Sequence, residues 1–276
     1  MEYTLKDTIL CLTNVELGYG EGSDYKAVLK NVNLTEKDVV RDGMVTGQVI
    51  AIVGRSGRGK STLFKALTGL VKPHYGTVLI PELETKDGND AKIVQEGDVG
   101  FVDQKYTLFR HKTIQQIFQY ALRKSTKSNT EKTTIINKYI GEWGLENQRN
   151  QYPCELSGGQ RQRTAIIEQI LSSGHFMVLD EPFSGLDVGN VRDVKKSFEL
   201  IQHADELNTI IFSTHELRLA VELADSIYVV GYGDEYKTHS TIVKHFDLKE
   251  LGLAWKPFGQ GHLDLINEVD NVMMNS

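Results

Sequence analysis

Val49-Ile50-Ala51-Ile52-Val53 runs directly into Gly54-Arg55-Ser56-Gly57-Arg58-Gly59-Lys60-Ser61-Thr62. The first five residues are β-branched or small and apolar, the composition of a fully buried strand. The next nine fit G-x-x-x-x-G-K-[ST], a phosphate-binding loop. Gly54, Gly57 and Gly59 let the backbone curl so that successive N–H groups, Ser56 and Thr62 among them, point inward at an anion. A helix is expected from Lys60 to about Leu70, and its N-terminus adds a positive dipole end. Lys60 is expected to reach the β- and γ-phosphates, and the Ser61 hydroxyl to ligate Mg²⁺.

Such a loop needs an acidic partner on a second strand. His175-Phe176-Met177-Val178-Leu179-Asp180-Glu181 supplies one. Its apolar residues bury a strand, and the two carboxylates emerge at its C-terminal end, where open α/β sheets place their ligands. Asp180 is expected to hold Mg²⁺, directly or through water, and Glu181 to polarise the attacking water. Further strands are read at Thr8–Glu16, Ala27–Leu34, Thr77–Ile80, Thr209–Phe212 and Ile227–Val230. Helical character fills Thr113–Leu171. There Ile114, Ile117, Phe118, Ala121 and Leu122 share one face, as Val191, Val194, Phe198 and Ile201 do further on. Glu82–Asp98 reads as a polar surface connection, and the alternation fades after Gly233, with Leu263, Leu265, Ile266 and Val269 suggesting a short helix in the tail. Alternating strands and helices make this an α/β chain.

Composition is ordinary for a globular chain: 276 residues, 40% hydrophobic and 25% charged, so wholesale disorder is excluded. The net charge of −6 is a poor fit to a general nucleic-acid coat. Cys11 and Cys154 form no Cys-x-x-Cys, so neither a disulfide framework nor a zinc ribbon is implied. The polar start, Met1-Glu2-Tyr3-Thr4-Leu5-Lys6-Asp7, lacks a secretory h-region, and no apolar run spans a bilayer. Membrane contact is therefore expected only through a partner. Between Lys105 and Arg149, nine basic residues face three acidic ones. That stretch is read either as a solvated helical face or as a docking face.

Leu156-Ser157-Gly158-Gly159-Gln160, followed by Arg161-Gln162-Arg163, decides the class. With it the sequence resembles the nucleotide-binding subunits of ATP-binding cassette (ABC) proteins. Other markers of that family follow in order: Gln104 of a Q-loop, Ser184-Gly185-Leu186-Asp187 of a D-loop, and His215 of an H-loop. Tyr19 is placed like the aromatic that stacks on adenine, with Tyr25 as the substitute. The resemblance covers about residues 8–232.

It implies a P-loop NTPase (RecA-like) core with an antiparallel β subdomain and an inserted α-helical subdomain at about 106–170. The cassette would occupy residues 1–235, leaving 236–276 as an extension of unassigned role. It implies ATP and Mg²⁺ as ligands, with Gln104 touching Mg²⁺ or the water and His215 holding that water with Glu181. Ser157, Gly158, Gly159, Gln160 and Asp187 would serve the ATP held by the other subunit. That subunit is a second copy or a homologous cassette. Polytopic membrane permease subunits are the further partners, so the chain would sit peripherally on the cytoplasmic face of a membrane. The look is closest to import-type cassettes. The competing expectations are a soluble ABC ATPase acting on nucleic acid or ribosomes, and a regulatory cassette without turnover; the presence of both Glu181 and His215 argues against the latter. Two departures stand out. Glu168 takes a position where the family commonly has arginine, and Glu36–Gly47 is longer than usual before the P-loop strand.

Overall fold

A computed structural model describes residues 3–41, 47–81, 91–173, 175–184, 188–204 and 207–276. Its strands are β1 (Tyr3–Tyr19), β2 (Lys26–Arg41), β3 (Gln48–Val53), β4 (Tyr75–Pro81), β5 (Ala91–Ile93), β6 (Gly100–Val102), β7 (Phe176–Leu179), β8 (Thr209–Thr214), β9 (Ser226–Tyr232) and β10 (Ser240–Asp247). Its α-helices are α1 (Lys60–Leu67), α2 (Ile114–Ala121), α3 (Asn129–Glu142), α4 (Gly158–Ser173), α5 (Val188–Ala204), α6 (Leu217–Leu223) and α7 (Gln260–Asn275).

The strands form one sheet in the order β5-β4-β1-β2-β10-β9-β3-β8-β7-β6. From β6 to β9 the neighbours run parallel. β1, β2, β4 and β5 pair antiparallel. β10 joins the two halves, antiparallel to β9 and touching β2 through Ser240 and Leu29. Every residue of β3 and β8 is buried, as expected for central parallel strands covered on both faces.

Two apolar cores lie on opposite faces, and β3 divides them by strand alternation. Ile50 and Ile52 point to one core with α1 and the inner faces of β1 and β2; Val49, Ala51 and Val53 point to the other. In the first, α1 inserts Leu63, Phe64, Ala66 and Leu67, all at most 1% exposed. Each large side chain stabilises that packing by roughly 1.5–3 kcal/mol. The second core takes α2, α4, α5, α6 and α7. The α2 face read from spacing is the buried one: Ile114, Ile117, Phe118, Ala121 and Leu122. Capping boxes start α2 at Thr113 with Gln116 and α3 at Ser128 with Glu131.

Several elements differ from the sequence reading. α1 stops at Leu67 rather than Leu70, because Gly69 turns the chain at φ 70°. β2 runs on to Arg41, through part of the stretch read as an unusual insertion; 42–46 lie outside the described residues. β5 closes the sheet edge within Glu82–Asp98, of which 82–90 lie outside the described residues. The alternation does not fade after Gly233. β10 is built into the sheet, and the helix read in the tail is the longer α7, which buries Leu265, Val269 and Met273 against the second core.

Candidate functional site

The loop after β3 and the ends of β7 and β8 meet around one cleft of about 580 Å³. Gly59, just before α1, sits at φ 89°, and a Cβ there would press on Val28 Cγ1 at 3.0 Å. Gly59, the N-cap of α1, has no side chain to bond the first N–H groups of the helix, which leaves them to an anion. Ser56, Gly57, Gly59, Lys60, Ser61 and Thr62 all line the cleft. Gly54 turns the chain out of β3, and its carbonyl accepts from Lys60 Nζ at 2.7 Å.

Gln104, Asp180, Glu181 and His215 line the same cleft, so residues far apart in sequence converge there. Ser213, on β8, organises the acidic pair. Its hydroxyl donates to Asp180 Oδ1 at 2.7 Å and accepts from the Glu181 backbone N–H at 2.9 Å. The Glu181 carboxylate is held from two sides: Oε1 lies 3.7 Å from Lys60 Nζ, and Oε2 lies 2.9 Å from His215 Nδ1. Glu181 itself takes φ 51°, a left-handed conformation uncommon outside glycine. Gln104 Nε2 donates to Ser184 Oγ at 3.1 Å, a bond that does not use its amide oxygen.

Ser61, Gln104 and Asp180 together offer a hydroxyl, an amide oxygen and a carboxylate. Hard oxygen donors of this kind suit Mg²⁺. Among the described residues no group of three His, Cys, Asp or Glu side chains gathers for a metal. The donor set therefore fits a cation that completes its shell with phosphate oxygens and water, as Mg²⁺ does.

Tyr19 is 60% exposed, lines the cleft and bonds Thr62 Oγ1 through its hydroxyl at 3.1 Å. Tyr25 stacks on His74 at 4.2 Å between centroids, and burial pushes its hydroxyl pKa up, with Glu16 adding to the rise. One face of the Tyr25 ring is therefore already occupied.

Ser157, Gly158, Gly159 and Gln160 do not line this cleft. They open α4 elsewhere: Gln160 N–H donates to Ser157 Oγ at 3.3 Å, and Ser157 N–H to Gln160 Oε1 at 2.9 Å. Ser157 and Gly158 are exposed. The chain thus keeps its phosphate loop and its Ser157 helix apart. Asp187 lies outside the described residues. Sequence reasoning missed Val28 and Ser213 as site residues and read Ser184 only as the start of the D-loop. Ser213 was legible only as a neighbour of His215, since its role depends on the β7–β8 register that sets Leu179 opposite Phe212.

The pattern of the family described as ABC transporter matches residues 39–184. The chain is 34% identical over 242 residues to the sulfate/thiosulfate import ATP-binding protein CysA of Synechocystis sp., a match covering 86% of this chain and 62% of that protein. It is 35% identical over 212 residues to the arginine transport ATP-binding protein ArtM of Bacillus subtilis, covering 75% and 82% of the two chains. Among solved structures it resembles cbiO1 of Clostridium perfringens, part of the ABC transporter complex cbiONQ. There the TM-score is 0.68 at 25% identity, with 90% and 92% of the chains covered. Together with the P-loop fold and the converging motifs, these matches assign the chain to the ABC transporter family.

Proposed function

We propose that this chain is an ATP-hydrolysing subunit that dimerises with a second cassette around two Mg-ATP and drives import through separate membrane-spanning subunits. The observation that carries the hydrolytic reading is the Glu181 carboxylate, set at the cleft between Lys60 at 3.7 Å and His215 at 2.9 Å. Lys60 and the open α1 N-terminus bind the phosphates electrostatically. Ser61, Asp180 and Gln104 would hold Mg²⁺, whose charge neutralises the oxygens between the β- and γ-phosphates. Glu181 accepts the proton of the water that attacks the γ-phosphorus, and His215 orients that water and the γ-phosphate. Tyr19 offers its exposed ring to the adenine.

The separation of Ser157 and Gly159 from the chain's own cleft supports a head-to-tail pair, in which each α4 N-terminus closes over the partner's ATP. The pair would open and close with ATP binding and phosphate loss, a ligand-driven population shift. Among the described residues no helix is long and apolar enough to cross a membrane. That supports transport through partner subunits, with the chain peripheral on the cytoplasmic face and the basic 105–149 stretch as the docking face. The relatives' names support transport, and that of CysA supports import. They differ in cargo, an oxyanion and an amino acid, which supports cargo choice residing in the partners.

Replacing Glu181 by Gln tests this reading. ATP binding should persist while turnover falls about 10²–10⁴-fold, the scale for losing a general base. Lys60→Ala should instead weaken nucleotide binding itself. Full turnover in the Glu181→Gln chain would remove Glu181 from the chemistry.

A further inference from the structure

Two hydrogen bonds from distant parts of the chain meet on one backbone carbonyl beside Glu181. The Pro182 oxygen accepts from the Tyr106 hydroxyl at 3.3 Å and from Gln162 Nε2 at 2.6 Å. A carbonyl has two lone pairs, so both bonds can be held together. Tyr106 belongs to the segment after Gln104. Gln162 is 1% exposed and lies in α4, five residues after Ser157. The turn that follows the carboxylate is thereby tied to both the Gln104 segment and the Ser157 helix. The Gln104–Ser184 bond adds a second tie between the same two segments.

The backbone at both ends of the Tyr106 contact is unusual. Tyr106 has φ 50° and Glu181 φ 51°, left-handed values that persist outside glycine only where the surroundings impose them. The Tyr106 ring packs against the second core. The Tyr106 hydroxyl is the donor of this pair, since the Pro182 carbonyl oxygen can only accept. A donor aimed at Pro182 resists rotation of that peptide and so fixes the direction in which Glu181 leaves β7.

We propose that Tyr106 is a positioning residue for hydrolysis: through the Pro182 carbonyl it holds the turn that presents Glu181 to His215, and it passes displacement of residues 104–107 to that turn. This rests on the reading of Glu181 as the base. It adds a lever between the helical segment and the carboxylate, separate from any contact of Gln104 with Mg²⁺.

Tyr106→Phe removes the hydroxyl and keeps the ring in its packing. The kcat for ATP hydrolysis should fall about 3- to 10-fold, the worth of one neutral hydrogen bond, with ATP affinity unchanged. In a Glu181→Gln background the same substitution should cause no further fall in residual turnover, because the group being positioned is gone. An unchanged kcat, or an equal fold-loss in both backgrounds, would overturn the proposal, since the hydroxyl would then act independently of Glu181. Failure of the base reading shows separately, as full turnover in Glu181→Gln alone, and it would take the proposal with it.

Discussion

Glu168 is 8% exposed and lines a cavity of about 190 Å³ with Val102, Asp103, Thr107 and Gln169. Burial pushes its pKa from 4.5 up to about 7, against the opposing pull of Arg123. Asp225, fully buried, rises from 3.8 to about 6 by burial, although it accepts the Val49 N–H at 2.8 Å and faces Arg41 and Lys249. Both acids hold a proton more tightly in the folded chain than in the unfolded one. Their contribution is therefore complete below the unfolded pKa values and is lost as pH rises through the folded ones. Stability should fall between about pH 4 and pH 7, and Glu168→Gln should reduce the total fall across that range by about 1–3 kcal/mol. Denaturant melts across this range check it, and an unchanged slope would contradict it. The charge reversal at Glu168 was plain in the sequence, but its burial was not, because depth depends on how α4 meets β6.

The two tyrosines read as alternatives for adenine separate by surroundings. Tyr25 is engaged by His74, whereas Tyr19 is open at the cleft. Tyr19→Ala should weaken ATP binding about 10-fold, the scale of one base–aromatic stack, while Tyr25→Ala should have a smaller effect on affinity. A fluorescent-nucleotide titration of the two variants distinguishes them; equal losses would contradict the assignment.

At the scale of elements, legibility followed period and length. β3, β7, β8 and β9 announced themselves as continuous apolar runs, and α2 by its five-residue face, because one pattern repeats several times in each. β5 and β6, three residues each, are too short to show a period. In β10 only Ser240 and Phe246 among Ser240–Phe246 are fully buried, so its alternation is faint, and pairing with β9 rather than local pattern holds it. The end of α1 was misread because Leu70 and Val71 prolong the apolar run. They are 46% and 36% exposed, and Gly69 has already reversed the chain. A Cβ on Gly69 would lie 2.4 Å from the Gln95 carbonyl carbon, at a φ that side chains avoid. Gly69→Ala should therefore destabilise the fold by about 1–3 kcal/mol or more. The check is its denaturation midpoint, and wild-type stability would show that the turn relaxes freely.

For the whole molecule, the sheet brings the phosphate loop, Asp180, Glu181 and His215 to one cleft and leaves the Ser157 end of α4 outside it. The motifs therefore revealed the chemistry of the cleft, and the family resemblance already implied that Ser157 serves a second chain; the positions of the elements add that this helix end stands apart from the chain's own cleft. Two cassettes related head to tail would supply each cleft with the missing helix end. The most direct measurement mixes two chains that are inactive alone, Lys60→Ala and Ser157→Arg. In a mixed dimer one cleft carries both defects and the other carries neither, so ATP turnover should reappear on mixing. A mixture as inactive as its components despite mixed-dimer formation, or a Ser157→Arg chain with full turnover by itself, would contradict a site shared between two chains.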